Sequence, residues 1–161
     1  MKKRTIEDYV ELVNELQKGK ERVHTNDIAT ALDINPASVT EIFQKLSKEG
    51  YVNYEKYSGA KLTKKGKRLA IDTKKRHEIL KEFLLLLGVD KETANKDACE
   101  MEHILHKSTM DTIIKFVEVV KQCKLTPFWL NRLKKYVKTG KLPKCPPDLE
   151  IICKKYKVKN D

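Results

Sequence analysis

Six side chains carry metal-donor chemistry at helical spacing. Asp8 and Glu11 stand at i and i+3, so their carboxylates share one helix face. Cys99, Glu102 and His103 stand at i, i+3 and i+4, which puts a thiol, a carboxylate and an imidazole on one face of another helix. His77 lies midway along a longer helix between them. Such a mixture of oxygen, nitrogen and sulfur donors is what a divalent transition metal takes as ligands. Each residue also has a plainer reading. Asp8 could cap its helix, Glu102 and His103 could be an exposed polar pair, and His77 could be a surface histidine. Cys99 could be a small buried core residue, as free cysteines commonly are. Only their coincidence favours a metal.

The elements that must position these residues are legible from apolar spacing and punctuation. Ile6, Tyr9, Val10, Val13 and Leu16 make a helical stripe over Thr5–Lys18, with Thr5 as N-cap and Gly19 as the stop. A two-turn helix follows in His24–Ile34, with Ile28, Ala29 and Leu32 expected to face inward. After a tight break, Pro36 opens a further helix, Pro36–Glu49, where its missing N–H costs nothing. That helix buries Val39, Ile42, Phe43 and Leu46 and ends at Gly50. Tyr51–Tyr54 and Ala60–Leu62 read as two short strands around a Ser58-Gly59 turn. Two short helices, a tight turn and a hairpin describe a winged helix-turn-helix. Pro36–Glu49 is its recognition helix and Tyr51–Leu62 its wing.

Thr63 then caps a helix running to Leu87, stopped by Gly88, that leaves the first domain and enters an all-helical second one. Lys91–Leu105, Ser108–Gln122 and Thr126–Val137 are its further helices. A Gly- and Pro-rich breaker precedes one more possible helix at Asp148–Tyr156. The fold class is mostly α: residues 1–71 form a winged helix-turn-helix domain, 72–137 an all-helical second domain, and 138–161 a basic tail.

Four stretches resemble the diphtheria toxin repressor family of metal-dependent transcription regulators, in particular its short manganese-transport-regulator branch. They are TIEDYVELV (5–13), NPASVTEIFQKLSKEGYVNYEKYSGAKLTKKGK (35–67), RHEILKEFLLLLGVD (76–90) and CEMEHILH (99–106). The resemblance implies a winged-helix DNA-binding domain, a helical dimerisation domain and a divalent metal corepressor. It implies no SH3-like third domain, for which too few residues follow. Position by position, it makes Asp8, Glu11, His77, Cys99, Glu102 and His103 the metal ligands. The set is a hybrid: Asp8 belongs to the manganese branch, where the iron branch has methionine, while Cys99 belongs to the iron branch, where the manganese branch has glutamate. Lys81 and Asn95 replace a carboxylate and an imidazole of the iron branch's ancillary site. His106 is not a family ligand. The carboxylates suit Mn²⁺ and the thiolate shifts preference towards Fe²⁺ and softer ions. Mn²⁺ or Fe²⁺, as one ion or two, is therefore expected as corepressor.

Function follows from where the ligands fall. Asp8 and Glu11 lie in the DNA-binding domain, and Cys99, Glu102 and His103 in the dimerisation domain. A divalent ion would clamp the two and hold a homodimer's recognition helices at the spacing of a palindromic operator of metal-homeostasis genes. Asn35, Pro36, Ala37, Ser38, Thr40 and Gln44 are the expected base-edge or phosphate contacts, and Lys45, Lys56, Lys61, Lys64 and Lys65 the phosphate contacts. The alternative is a metal-independent winged-helix DNA-binding or adaptor protein with a structural metal site. A small metal hydrolase is disfavoured, because the ligands cross domains without a nucleophile or phosphate-binding loop.

Composition agrees. The 161 residues carry 34 Lys+Arg against 23 Asp+Glu, unevenly placed: net +4 over 1–71, −2 over 72–120 and +9 over 121–161. Basic ends suggest nucleic acid, and an acidic middle suggests a bound cation. The longest apolar run, Phe83–Leu87, is five residues, where a membrane span needs about 20. Nor does an apolar stretch follow the basic N-terminus as in a signal peptide, so a cytoplasmic protein with no membrane partner is expected. Cys99, Cys123, Cys145 and Cys153 form no CxxC pair, so disulfides are not expected, and for the last three buried thiols are favoured over a structural metal clip.

Overall fold

The computed structural model describes residues 1–123 and 127–144. In chain order the elements are α1 (Lys3–Leu16), α2 (Thr25–Leu32), α3 (Pro36–Lys48), β1 (Val52–Glu55), β2 (Gly59–Leu62), α4 (Lys64–Leu87), α5 (Lys91–Ile104), α6 (Lys107–Gln122) and α7 (Phe128–Thr139). The Asp148–Tyr156 helix, Cys145 and Cys153 lie outside the described residues.

Side-chain caps explain several of the boundaries. The Asp27 carboxylate accepts from the His24 N–H at 2.8 Å and starts α2. The Asn35 side chain accepts from the Ala37 N–H at 2.8 Å, with Pro36 in the first turn of α3. Thr63 accepts from the Gly66 N–H at 3.1 Å and donates to the Gly50 carbonyl at 2.7 Å, so one hydroxyl both starts α4 and ties it to the end of α3. Thr5 plays no such part: α1 begins earlier, at Lys3, after a Lys2 that makes no side-chain cap bond.

β1 and β2 pair antiparallel, Val52 opposite Leu62 and Glu55 opposite Gly59. Val23 adds a short bridge on the far side of β2, exchanging both backbone bonds with Ala60 at 2.9 and 2.8 Å. That bridge brings backbone against Gly59, where a Cβ would stand 2.6 Å from the Val23 carbonyl oxygen at φ +90°. Gly66 has the same purpose in α4, since a Cβ there would collide with the Tyr51 carbonyl.

Two separate cores form. Ile6, Val10, Val13, Val23, Ile28, Val39, Phe43, Leu46, Val52 and Ala70 bury together as the winged-helix core. Leu80, Ala98, Met110, Ile113 and Val117 bury as a second, helical one. Contrary to the spacing, Leu32 is exposed; it is the last residue of α2, which the left-handed Asp33 terminates. Ile42 is only half-buried. α4 runs through both cores, giving Ala70 to one and Leu80 to the other, with buried Thr73 between them. α1 and α5 both pack on α4. The seam they share is where the predicted donors meet.

Candidate metal centre

Three helices deliver the donors: α1 carries Asp8 and Glu11, α4 carries His77, and α5 carries Cys99, Glu102 and His103. His103 Nε2 lies 3.0 Å from Asp8 Oδ1 and 3.4 Å from Glu102 Oε1. His77 Nδ1 lies 3.2 Å from Glu102 Oε2, and its Nε2 lies 3.3 Å from Asn95 Oδ1. Donor atoms of Cys99, Glu102 and His103 all fall within 4.8 Å of one another. The side chains of Glu102 and His103 are each 2% exposed, and that of Asp8 is 48% exposed. The centre is therefore closed at Glu102 and His103 and open towards solvent at Asp8 and Cys99. None of the plainer readings holds. Asp8 is beyond the first turn of α1, Glu102 and His103 are not an exposed pair, and the His77 side chain is only 17% exposed.

The electrostatics are those of a cation site. Burial, and then the neighbouring Glu11, raise the Glu102 carboxyl to about 8. Burial also raises Asp8, against the pull of His103 and Arg4, and raises Glu11, with Glu15 adding to the push. The Cys99 thiol is pushed up by partial desolvation and by Glu102. Asp8, Glu11, Cys99 and Glu102 thus hold their protons more tightly than usual, first because of burial and then because of neighbouring negative charge. Glu102 Oε2 and His103 Nε2 are buried yet make no hydrogen bond among the described residues. Their nearest polar neighbours are His77 Nδ1 at 3.2 Å and Asp8 Oδ1 at 3.0 Å. Adjacent ligands of an octahedral ion with bonds of about 2.1 Å stand about 3.0 Å apart, the scale of these contacts. The residues present fit a divalent cation.

Sequence reasoning missed Glu7. Its side chain is 1% exposed, and its carboxylate accepts from Arg76 Nη2 at 2.6 Å and contacts His103 Nδ1 at 2.9 Å. A glutamate three residues before buried Val10, on the edge of the apolar stripe, was the signal available. Arg4 and Glu100 form a bidentate pair at 2.7 and 2.6 Å that also joins α1 to α5. Cys123 is exposed rather than buried, correcting the expectation for that thiol, and Cys99 is exposed too, so it is not the small buried core residue of the plainer reading. His106 accepts from the Ser108 N–H and starts α6, away from the centre.

On the other face, Asn35, Pro36, Ala37, Ser38, Gln44 and Lys45 are exposed along α3, and Thr40 is half-buried with its hydroxyl donated to the Pro36 carbonyl at 3.1 Å. Lys56 stands over the Tyr57 ring at the wing tip. Lys64 is exposed. Two of the expected phosphate contacts already have partners: Lys61 pairs with Glu21 at 3.2 Å, and Lys65 donates to the Glu49 carbonyl at 2.8 Å.

Residues 1–60 match the family model described as iron dependent repressor, N-terminal DNA binding domain. Residues 63–127 match that of the iron dependent repressor metal binding and dimerisation domain. The chain belongs to the iron-dependent repressor family. Membership makes it a metal-dependent, DNA-binding transcriptional repressor with a dimerisation domain, and not an enzyme. This repressor is 41% identical over 118 residues to the HTH-type transcriptional regulator MntR of Lysinibacillus sphaericus strain C3-41, covering 73% of this chain and 85% of that one. The MntR of Bacillus subtilis strain 168 is likewise 41% identical, over 71% of this chain and 80% of its own. Among solved structures, the manganese regulator SloR superposes with a TM-score of 0.60 at 28% identity, covering 70% of this repressor. ScaR with bound Zn²⁺ gives 0.62 at 28% over 73%. This repressor spans 53% and 56% of those two chains. The hypothetical protein SSo2273 from Sulfolobus solfataricus shares the fold at TM-score 0.62 and 23% identity, over 97% of its length. No helix among the described residues is long and apolar enough to cross a membrane.

Proposed function

We propose that the corepressor of this chain is Mn²⁺ or Fe²⁺, held by Asp8, Glu11, His77, Cys99, Glu102 and His103. The observation that carries this reading is His103 Nε2 facing Asp8 Oδ1 at 3.0 Å, a donor pair drawn from the two halves of the molecule with no hydrogen bond between them. Once ionised, the carboxyl groups of Asp8, Glu11 and Glu102 repel one another across the seam and loosen the hold of α5 on α1. A divalent ion supplies the positive charge and directional bonds that this donor set lacks. With the seam closed, α1 fixes the winged-helix domain on α4. The two recognition helices of a homodimer then take one spacing, which matches successive major grooves of a palindromic operator about 34 Å apart, or a multiple of that. Ordering a mobile domain is a population shift, so metal and DNA must tighten each other equally.

Oxygen donors dominate the set and favour Mn²⁺, as does the likeness to proteins described as manganese regulators. The Cys99 sulfur favours Fe²⁺ and the softer ions. The DNA contacts are assigned to Asn35, Pro36, Ala37, Ser38, Thr40, Gln44, Lys45 and Lys56, with Lys61 free to bind phosphate once it leaves Glu21. The division into a DNA-binding part over 1–71 and a metal-binding part over 72–137 follows the two cores, and a cytoplasmic place follows the reading as a regulator of metal-homeostasis genes.

The test is anaerobic fluorescence anisotropy on the DNA upstream of the protein's own gene, titrating Mn²⁺ and then Fe²⁺. A rise of tenfold or more in affinity, about 1.4 kcal/mol of coupling, is expected with one ion and is absent in a Glu102→Ala, His103→Ala protein. Equal binding with and without either ion would leave the centre merely structural.

A further inference from the structure

We infer that Glu7 is a positioning residue for the metal centre: it holds His103 in the tautomer that presents Nε2 to the ion, and ties that imidazole to α1. This rests on the metal-centre reading above. Glu7 is itself no ligand, since its two oxygens face away from the donor cluster, one to Arg76 and one to His103 Nδ1.

A carboxylate can only accept. At 2.9 Å from Nδ1 it therefore selects the imidazole that carries its proton on Nδ1 and leaves the Nε2 lone pair bare. That bare nitrogen is the buried atom with no hydrogen bond, 3.0 Å from Asp8 Oδ1 and 3.4 Å from Glu102 Oε1. Glu7 is in turn fixed from behind. Arg76 Nη2 donates to it at 2.6 Å and to Thr73 Oγ1 at 3.1 Å, and Lys3 Nζ stands 3.8 Å away. The relay Thr73–Arg76–Glu7–His103 thus begins on α4, passes through α1 and ends on α5. When Nε2 takes an ion the ring becomes a stronger Nδ1–H donor, and the bond from α5 to α1 strengthens with it. Metal binding then reaches the DNA-binding domain by a second route besides the α1 ligands Asp8 and Glu11.

The test compares the full-length protein with Glu7→Gln, which keeps the shape of the side chain. A glutamine can accept from Nδ1–H or donate to a bare Nδ1, so it no longer dictates the tautomer. Two readouts are taken. Long-range ¹⁵N–¹H correlation of the histidine rings in the metal-free protein at pH 8 reports the His103 tautomer directly. Electron paramagnetic resonance of free Mn²⁺ reports the metal affinity. The wild type is expected to hold the Nδ1–H form, while Glu7→Gln shows a population of the Nε2–H form and binds Mn²⁺ about ten- to a hundredfold more weakly. Glu7→Asp, which restores an acceptor-only group, recovers the Nδ1–H form. An Nε2–H wild type, or an unchanged tautomer and Mn²⁺ affinity in Glu7→Gln, overturns the inference. Because the tautomer is read without metal, failure of the metal-centre reading shows separately, as a wild type that binds no Mn²⁺.

Discussion

Glu102 shows what the centre asks of a single side chain. Burial at the seam, with Glu11, Glu7 and Asp8 adding to it and Arg76 pulling the other way, holds its carboxyl at about 8. In the folded, metal-free protein it keeps a proton that the unfolded chain has released, so the unfolded state binds fewer protons and stability falls as pH rises. The window runs from the ordinary 4.5 to about 8. Asp8 and Glu11, raised in the same direction, add to this slope, while Glu7, lowered by His103 and Arg76, opposes it at more acid pH. Urea titrations of the metal-free protein should therefore give a midpoint that drops between pH 5 and 8, and Glu102→Gln should flatten that drop. At residue 99 the prediction concerns which ion is chosen. Cys99→Glu replaces a soft donor with a hard one and should raise affinity for Mn²⁺ relative to Co²⁺ and Zn²⁺, read by competition with a metal-binding dye.

The helices and the hairpin were legible because their signals are local. Apolar periodicity, Pro36 at the start of α3, the Asn35 cap, Gly50 and Gly88 all act within a few residues. Asn35→Ala should cost the fold about 1 kcal/mol through the lost α3 cap, measured by chemical denaturation. Gly59→Ala and Gly66→Ala each force a Cβ against backbone, at Val23 and Tyr51, and should cost roughly 1–3 kcal/mol or more. The hairpin mutant should also lose DNA affinity, since Gly59 aims the wing. The six donors could be paired by helical spacing only within one helix. That α1 and α5 meet was carried by the family resemblance, not by periodicity. Glu7 with His103 and Arg4 with Glu100 join positions 96 residues apart, and nothing local announces such a pair. The α1 start was misread for the opposite reason: a capping residue stood at Thr5, but the chain was already helical at Lys3.

For the whole molecule, the charge split becomes a division of labour. The stretch with net +4 presents α3 and the wing along with Asp8 and Glu11, and the acidic stretch beyond it supplies the other four proposed donors. DNA affinity should fall steeply with salt, and Lys56→Ala should lower the slope of log affinity against log salt by about one while weakening all sequences alike. The central claim is that one seam serves both ligands. Its direct test is the Mn²⁺ affinity of the full-length protein measured with and without operator DNA. The account predicts that DNA tightens Mn²⁺ by the same factor, tenfold or more on the coupling proposed, by which Mn²⁺ tightens DNA. A Mn²⁺ affinity indifferent to operator would contradict it.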